Sequence, residues 1–133
     1  MINYKERSKN WLEQAEHDLT AASSNFKLKD FSLTCFLSEQ SAQKSLKAFL
    51  ISKKQAHSQI HAITNLLEQS AKFNSEFNKF IDNGKILDKY YLSTRYPDTL
   101  PEPLLPFMAY SEKEAEEAIG ISQRIFSFVC DLL

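Results

Sequence analysis

Glycine is almost missing from this chain, with two in 133 residues, and the four prolines all fall between positions 97 and 106. Few glycines mean few sites for tight hairpin turns, and the absence of a glycine-rich run excludes a phosphate-cradling loop. There is no G-x-S-x-G elbow and no CxxC pair, so the nucleophile-elbow and paired-thiol classes are excluded as well. The two cysteines, Cys35 and Cys130, sit within apolar patterns at no disulfide or metal spacing, as expected of buried free thiols in a reducing cytoplasm. No stretch approaches the roughly 18 consecutive apolar residues of a membrane span, and the first residues have no apolar segment behind them. We therefore expect a protein that is neither exported nor membrane-spanning. A formal net charge of −1 gives no overall attraction to polyanions, so any nucleic acid would have to be held by a local patch.

What the chain has in quantity is helical periodicity. Trp11, Ala15, Leu19, Ala22 and Phe26 recur at steps of three and four, which predicts a helix over about 3–27. Asp30 can cap a second helix carrying Phe31, Cys35, Ala42, Leu46, Phe49 and Leu50 and ending near Lys53 and Lys54. The short connection between them predicts an antiparallel pair. Ile60, Ile63, Leu66 and Leu67 suggest a third, shorter helix. A further stripe runs from Phe73 through Phe77, Phe80, Ile81 and Leu87 to Tyr91. The turn signal Asp82-Asn83-Gly84 interrupts that stripe, so the segment 74–95 reads as one kinked helix or as two, with the break expected at Gly84.

Residues 97–107 cannot form regular helix or a central strand, because proline removes backbone donors there. Leu100, Leu104, Leu105, Phe107 and Met108 make this arm too apolar to float free, so it should pack over the bundle or over a partner subunit. Ser111 and Glu114 form a capping box that opens a last helix over about 111–132. With no period-two segment and a length suited to one domain, the fold class expected is all-α: an up-and-down bundle of four to five main helices spanning residues 1–133.

The segment Asp88 to Asp98 reads D-x-x-Y-x-x-T-R-Y-P-D through Asp88, Tyr91, Thr94, Arg95, Tyr96, Pro97 and Asp98. Upstream, Gln40 to Ala48 reads Q-x-A-Q-K-x-L-K-A, and His61 lies mid-chain. In these residues the chain resembles the HEPN domain family, small helical proteins that include ribonucleases, partners of nucleotidyltransferases and members without a known role. The resemblance covers most of the chain and departs from the family at Gln43, where a glutamate is usual. It implies a site for nucleotide or RNA phosphate built from Gln43, Lys47, Asp88, Tyr91, Arg95 and Tyr96.

Helical spacing supports that grouping, since Asp88, Tyr91 and Arg95 share one face and Gln40, Gln43 and Lys47 share another. An arginine fork there suits a phosphate or carboxylate; alternatively, Arg95 pairs with Asp88 or Asp98 and caps the helix end. Lys47 can pair with Asp88, meet a phosphate, or lay its stem over the core. HEPN ribonucleases carry an arginine and, after four to six intervening residues, a histidine. After Arg7 the candidate positions hold Leu12, Glu13 and Gln14. After Arg95 they hold Leu100, Pro101 and Glu102, and after Arg124 they hold Val129, Cys130 and Asp131. No arginine has its histidine. His57 and His61 have a metal-ligand spacing but no third ligand evident in the sequence, so no metal and no cofactor are expected.

The resemblance thus implies a non-catalytic homodimer that binds nucleotide or RNA phosphate beside a separately encoded minimal nucleotidyltransferase, as in toxin–antitoxin pairs. Two alternatives stay open. One is a divergent HEPN ribonuclease toxin, with Glu102 or a distant histidine as base. The other is a purely structural interaction module in which Lys47, Asp88 and Arg95 close on one another.

Overall fold

In a computed structural model, residues 3–55 and 60–133 are described, and among them all regular structure is helical. The helices are α1 (Tyr4–Lys27), α2 (Phe31–Ser52), α3 (Ile63–Ala71), α4 (Ile81–Asp88), the single turn α5 (Tyr90–Ser93) and α6 (Glu112–Leu132). Short 3-10 turns at Ser75–Phe80, Pro97–Thr99 and Pro106–Met108 fill the connections.

The seam between α1 and α2 is built from small residues at sevenfold spacing. Ser8, Ala15 and Ala22 on α1 face Ala48, Ser41 and Thr34 on α2, all of them buried. With so little side chain between them the backbones come close enough for hydroxyls to reach across. Ser8 Oγ donates to the Ala48 carbonyl at 2.7 Å and Ser41 Oγ to the Ala15 carbonyl at 2.7 Å, while Thr34 Oγ1 donates to the Asp30 carbonyl of its own helix end at 2.8 Å and lies 3.4 Å from the Ala22 carbonyl across the seam. In successive pairs the α1 number rises by seven as the α2 number falls by seven, so the helices run antiparallel in one fixed register. An ion pair from Lys44 Nζ to Asp18 Oδ2 at 2.6 Å, with Asp18 also accepting from Gln14, holds the same register at the edge of the seam.

Helix α6 packs against both α1 and α2, while α3, α4, α5 and the 3-10 turn Pro106–Met108 cover the rest of α2. As a result α2 is enclosed along nearly its whole length, including its polar residues Glu39, Gln43 and Lys47. The main core joins Leu46, Phe49, Ile63, Leu66, Leu67, Phe77, Leu87, Tyr90, Ile121 and Ile125. A smaller cluster of Ala15, Leu19 and Phe126 lies between α1 and α6.

Helices α1 and α2 close without glycine. Lys29 and Lys54 take the left-handed conformation, with φ of 62° and 61°, and each helix end shows the paired bonds of a Schellman motif. In α1 these run from Lys29 N–H to Phe26 and from Asp30 N–H to Asn25; in α2, from Lys54 N–H to Ile51 and from Gln55 N–H to Leu50.

Gly84 does not break its helix. The expected interruption is displaced: α4 runs through Gly84, and the irregularities fall at the 3-10 turn before Ile81 and at Lys89. The reason is contact, because a Cβ on Gly84 would lie 2.8 Å from Leu67 Cδ1 and 3.2 Å from Ile63 Cγ2. Glycine is there to let α4 lie directly on α3. The Ser111 and Glu114 capping box opens α6 as the sequence predicts. Cys35 is buried, and burial pushes its thiol up to about 12; Cys130 is also free but only half-buried.

Replacing Ala15 by leucine would force α1 and α2 apart along their seam. We expect Ala15→Leu to lower unfolding free energy by roughly 1–3 kcal/mol or more, measured by urea denaturation.

Candidate functional site

Beyond the seam, α2 turns a row of side chains toward the α3 to α5 side of the bundle: Phe36, Glu39, Gln40 and Gln43. Glu39 is fully buried. Its carboxylate accepts from Gln40 Nε2 at 2.8 Å on Oε1 and from Gln43 Nε2 at 3.0 Å on Oε2. Burial pushes the carboxyl up to about 7, with the two amide donors and Arg95 opposing the rise and the charge of Asp88 adding to it. Sequence reasoning missed this residue. The departure at Gln43 suggests a face without an acid, whereas Glu39 supplies one a single turn earlier and bonded to Gln43. Its spacing from Gln43 and Lys47, four and eight residues, was the available signal.

Gln43 continues outward, and its Oε1 lies 3.2 Å from His61 Nδ1. The His61 ring stacks on Tyr91, with centroids 5.4 Å apart and planes 17° from parallel. Arg95 flanks the same tyrosine, its guanidinium carbon 5.1 Å from the Tyr91 ring centroid, 4.6 Å from that of Phe36 and 5.0 Å from that of Tyr96. Arg95 Nε and Nη2 donate to the Tyr91 carbonyl at 3.1 and 2.8 Å, which tucks the fork against the end of α5. Arg95 itself is exposed, and no carboxylate pairs with it among the described residues. Of the structural alternative, in which Arg95 pairs with Asp88 or Asp98 and caps the helix end, the helix-end contact forms and no such pairing occurs among the described residues.

Asp88 is turned elsewhere. Helix α3 has no cap from its own Ala62, and Asp88 supplies one from α4. Oδ1 accepts from Ile63 N–H at 2.5 Å, and Oδ2 accepts from Thr64 N–H at 3.2 Å and from Thr64 Oγ1 at 2.8 Å. A carboxylate at a helix N-terminus is favoured by the unpaired amides and the helix dipole together. Lys47 is buried against α1, its ammonium 5.7 Å from the Trp11 ring centroid. Burial lowers its pKa, against an opposing pull from Glu39. No hydrogen bond or ion pair joins Lys47, Asp88 and Arg95 among the described residues.

The structure therefore gathers Gln43, Tyr91, Arg95 and Tyr96 with Phe36, Glu39 and His61, and it sets Asp88 and Lys47 at the margin in supporting contacts. Arg95 also lines an open groove of about 360 Å³ together with Asp30, Leu33, Pro97, Leu105 and Phe107. The proline arm forms its outer wall, with Phe107 and Tyr96 exposed. The arm includes a cis peptide at Glu102-Pro103. His57, the other half of the His57 and His61 spacing, lies outside the described residues; among the described residues no group of three metal-ligating side chains occurs.

The HEPN domain family matches residues 8–132. The chain belongs to that family. Two solved structures agree. TT1696 from Thermus thermophilus superposes with a TM-score of 0.89 at 35% identity, over 96% of this chain and 98% of its own. ST0689, an archaeal HEPN homologue, superposes with a TM-score of 0.77 at 31% identity, over 94% of this chain and 96% of its own. No curated protein matches. Among the described residues no helix of this HEPN domain is long and apolar enough to cross a membrane.

Two consequences follow for stability. Asp88→Ala leaves the amides of Ile63 and Thr64 without their cap, and should cost about 1–3 kcal/mol in urea denaturation, with faster hydrogen exchange at those two amides. For Glu39, the folded value of about 7 lies above the ordinary 4.5, so between them the folded state holds the extra proton and stability falls as pH rises. Between about pH 5 and 8, the unfolding free energy of Glu39→Gln should gain roughly 1–3 kcal/mol on that of the parent protein.

Proposed function

We propose that residues 1–133 act as one non-catalytic HEPN domain that binds a nucleotide or RNA phosphate through Arg95, as a homodimer and as the partner of a separately encoded minimal nucleotidyltransferase. The observation that carries this reading is the state of Arg95: an exposed guanidinium held against aromatic rings and one carbonyl, without a carboxylate to neutralise it among the described residues. Such a fork is pre-ordered for a phosphate. The groove beside it has an apolar wall in Leu33, Leu105 and Phe107, which suits a base or sugar face next to the phosphate. Tyr91 and Tyr96 serve as the rings that orient the fork, Gln43 braces the floor, and Asp88 and Lys47 hold the surrounding helices. Exposed Leu104, Leu105, Phe107 and Met108 on the arm supply an apolar surface for the second copy.

Arg95→Ala should abolish the thermal shift that adenosine monophosphate gives the parent protein, while the fold is retained; an unchanged shift would sink the site assignment. Sedimentation of the parent protein as a monomer at micromolar concentration would remove the homodimer.

A divergent ribonuclease is the second reading, favoured by one observation. His61, far from Arg95 in sequence, lies against the same Tyr91 ring. Incubation with single-stranded and structured RNA without metal across about pH 6–8 decides between the two, since a histidine base is active in that range. A non-catalytic domain gives no cleavage under any of these conditions.

A further inference from the structure

A cavity of about 1000 Å³ lies at the other end of the bundle, where the first turns of α1 meet the ends of α2 and α6. Helix α2 begins beside the Arg95 groove and ends at this cavity, so roughly 30 Å of helix separates the two. The volume is at the upper end of the range for small-molecule pockets, about 300–1,000 Å³. The serines and the asparagine that line it are already engaged. Ser8 Oγ donates to the Ala48 carbonyl at 2.7 Å, Ser52 Oγ donates to the Phe49 carbonyl, and Asn3 caps α1 by accepting from Glu6 N–H at 3.0 Å. The one carboxylate side chain of the lining, Glu6, accepts from Asn3 Nδ2 at 3.3 Å. What remains for a ligand is apolar and cationic: Leu12 and Leu132 with Lys5, Lys9, Lys53 and Lys54.

Four lysines against one glutamate are a local excess of positive charge in a chain whose net charge is −1. Among the described residues the one ion pair these lysines make is Lys9 with Glu13, at 3.9 Å and open to water, a contact of little strength. The helix dipole accounts for Lys53 and Lys54 at the end of α2. It does not account for Lys5, which stands in the first turn of α1, where the dipole disfavours a cation. We propose that this cavity binds a single-chain anionic amphiphile, an aliphatic carboxylate whose chain covers the leucines and whose head group is held by the lysines. Burial of the chain supplies affinity, and the lysines select the sign of the head group. The occupant is one free molecule and not a bilayer, because the apolar residues and the lysines line one cavity instead of forming an apolar helix face flanked by cations. The assignment is independent of the phosphate reading of Arg95.

Calorimetric titration of the full chain with dodecanoate below its micelle concentration tests this, against dodecyltrimethylammonium, which has the same chain and the opposite charge. We expect one dodecanoate per chain, bound about tenfold or more tightly than the cationic amphiphile. Lys5, Lys9 and Lys54 are exposed, so Lys5→Gln/Lys9→Gln/Lys54→Gln should fold and should reduce that preference to about twofold or less. Location is read in the parent protein without any substitution. Cys130 lines the cavity and is half-buried, whereas Cys35 is fully buried, so N-ethylmaleimide reports on Cys130. Saturating dodecanoate should slow that alkylation by about fivefold or more. Absence of dodecanoate binding, equal affinity for the two amphiphiles, an undiminished preference in the folded triple variant, or unslowed alkylation each overturns the proposal. Co-sedimentation of the parent protein with phosphatidylglycerol vesicles, without binding of monomeric dodecanoate, overturns it in favour of a membrane surface.

Discussion

The close contact between α1 and α2 is the constraint from which the rest of this HEPN domain follows. Ser8, Ala15 and Ala22 meeting Ala48, Ser41 and Thr34 leave no room for a leucine, and the Ser8 and Ser41 hydroxyls bond directly to the opposite backbone. Burying a hydroxyl is costly unless it finds a partner, so the seam is specific as well as tight: a one-residue slip would orphan its donors. Because α1 lies so near on one side, with α6 on another and α3 and α4 on a third, α2 has almost no solvent face left.

That enclosure explains why so many polar groups of α2 are interior. Glu39 is not buried because it is apolar but because the helix that carries it is surrounded, and its carboxylate is tolerated through the two amides that bond it. The cost of that arrangement appears as a carboxyl drawn up to about 7. From Glu39 the polar row passes through Gln43 to His61 and, by way of the Tyr91 ring, to the exposed guanidinium of Arg95. A buried acid and an exposed cation thus mark the inner and outer ends of one connected structure.

Family and fold were legible in local patterns. The stripes of α1, α2 and α6, the Asp30 cap and the Ser111 capping box are short-range features, set by spacing within one or two turns. The segment around Arg95 was likewise a sound pointer to the family. Gly84 misled because glycine has two uses, ending a helix and permitting close approach, and only the presence of α3 beneath α4 selects between them. Asp88 shows a similar limit: its place on the face of Tyr91 and Arg95 can be read from helical spacing, whereas the N-terminus of α3 that its carboxylate caps is brought to it only by the fold.

The sequence by itself determined that the chain is a helical bundle, where its long helices begin and end, and that it is a HEPN domain without the arginine and histidine spacing of a ribonuclease. Only the tertiary structure decided which polar residues meet. Gln43 and His61 are 18 positions apart in the chain, and Asp88 and Ile63 are 25 apart, so no helical period relates them. Their contacts exist because α2 is enclosed and its neighbours are set down at a register that the α1 seam fixes. Periodicity assigns a side chain to a face; what stands opposite that face depends on packing between elements distant in sequence, and at this site that packing brought Glu39 and His61 into one polar row.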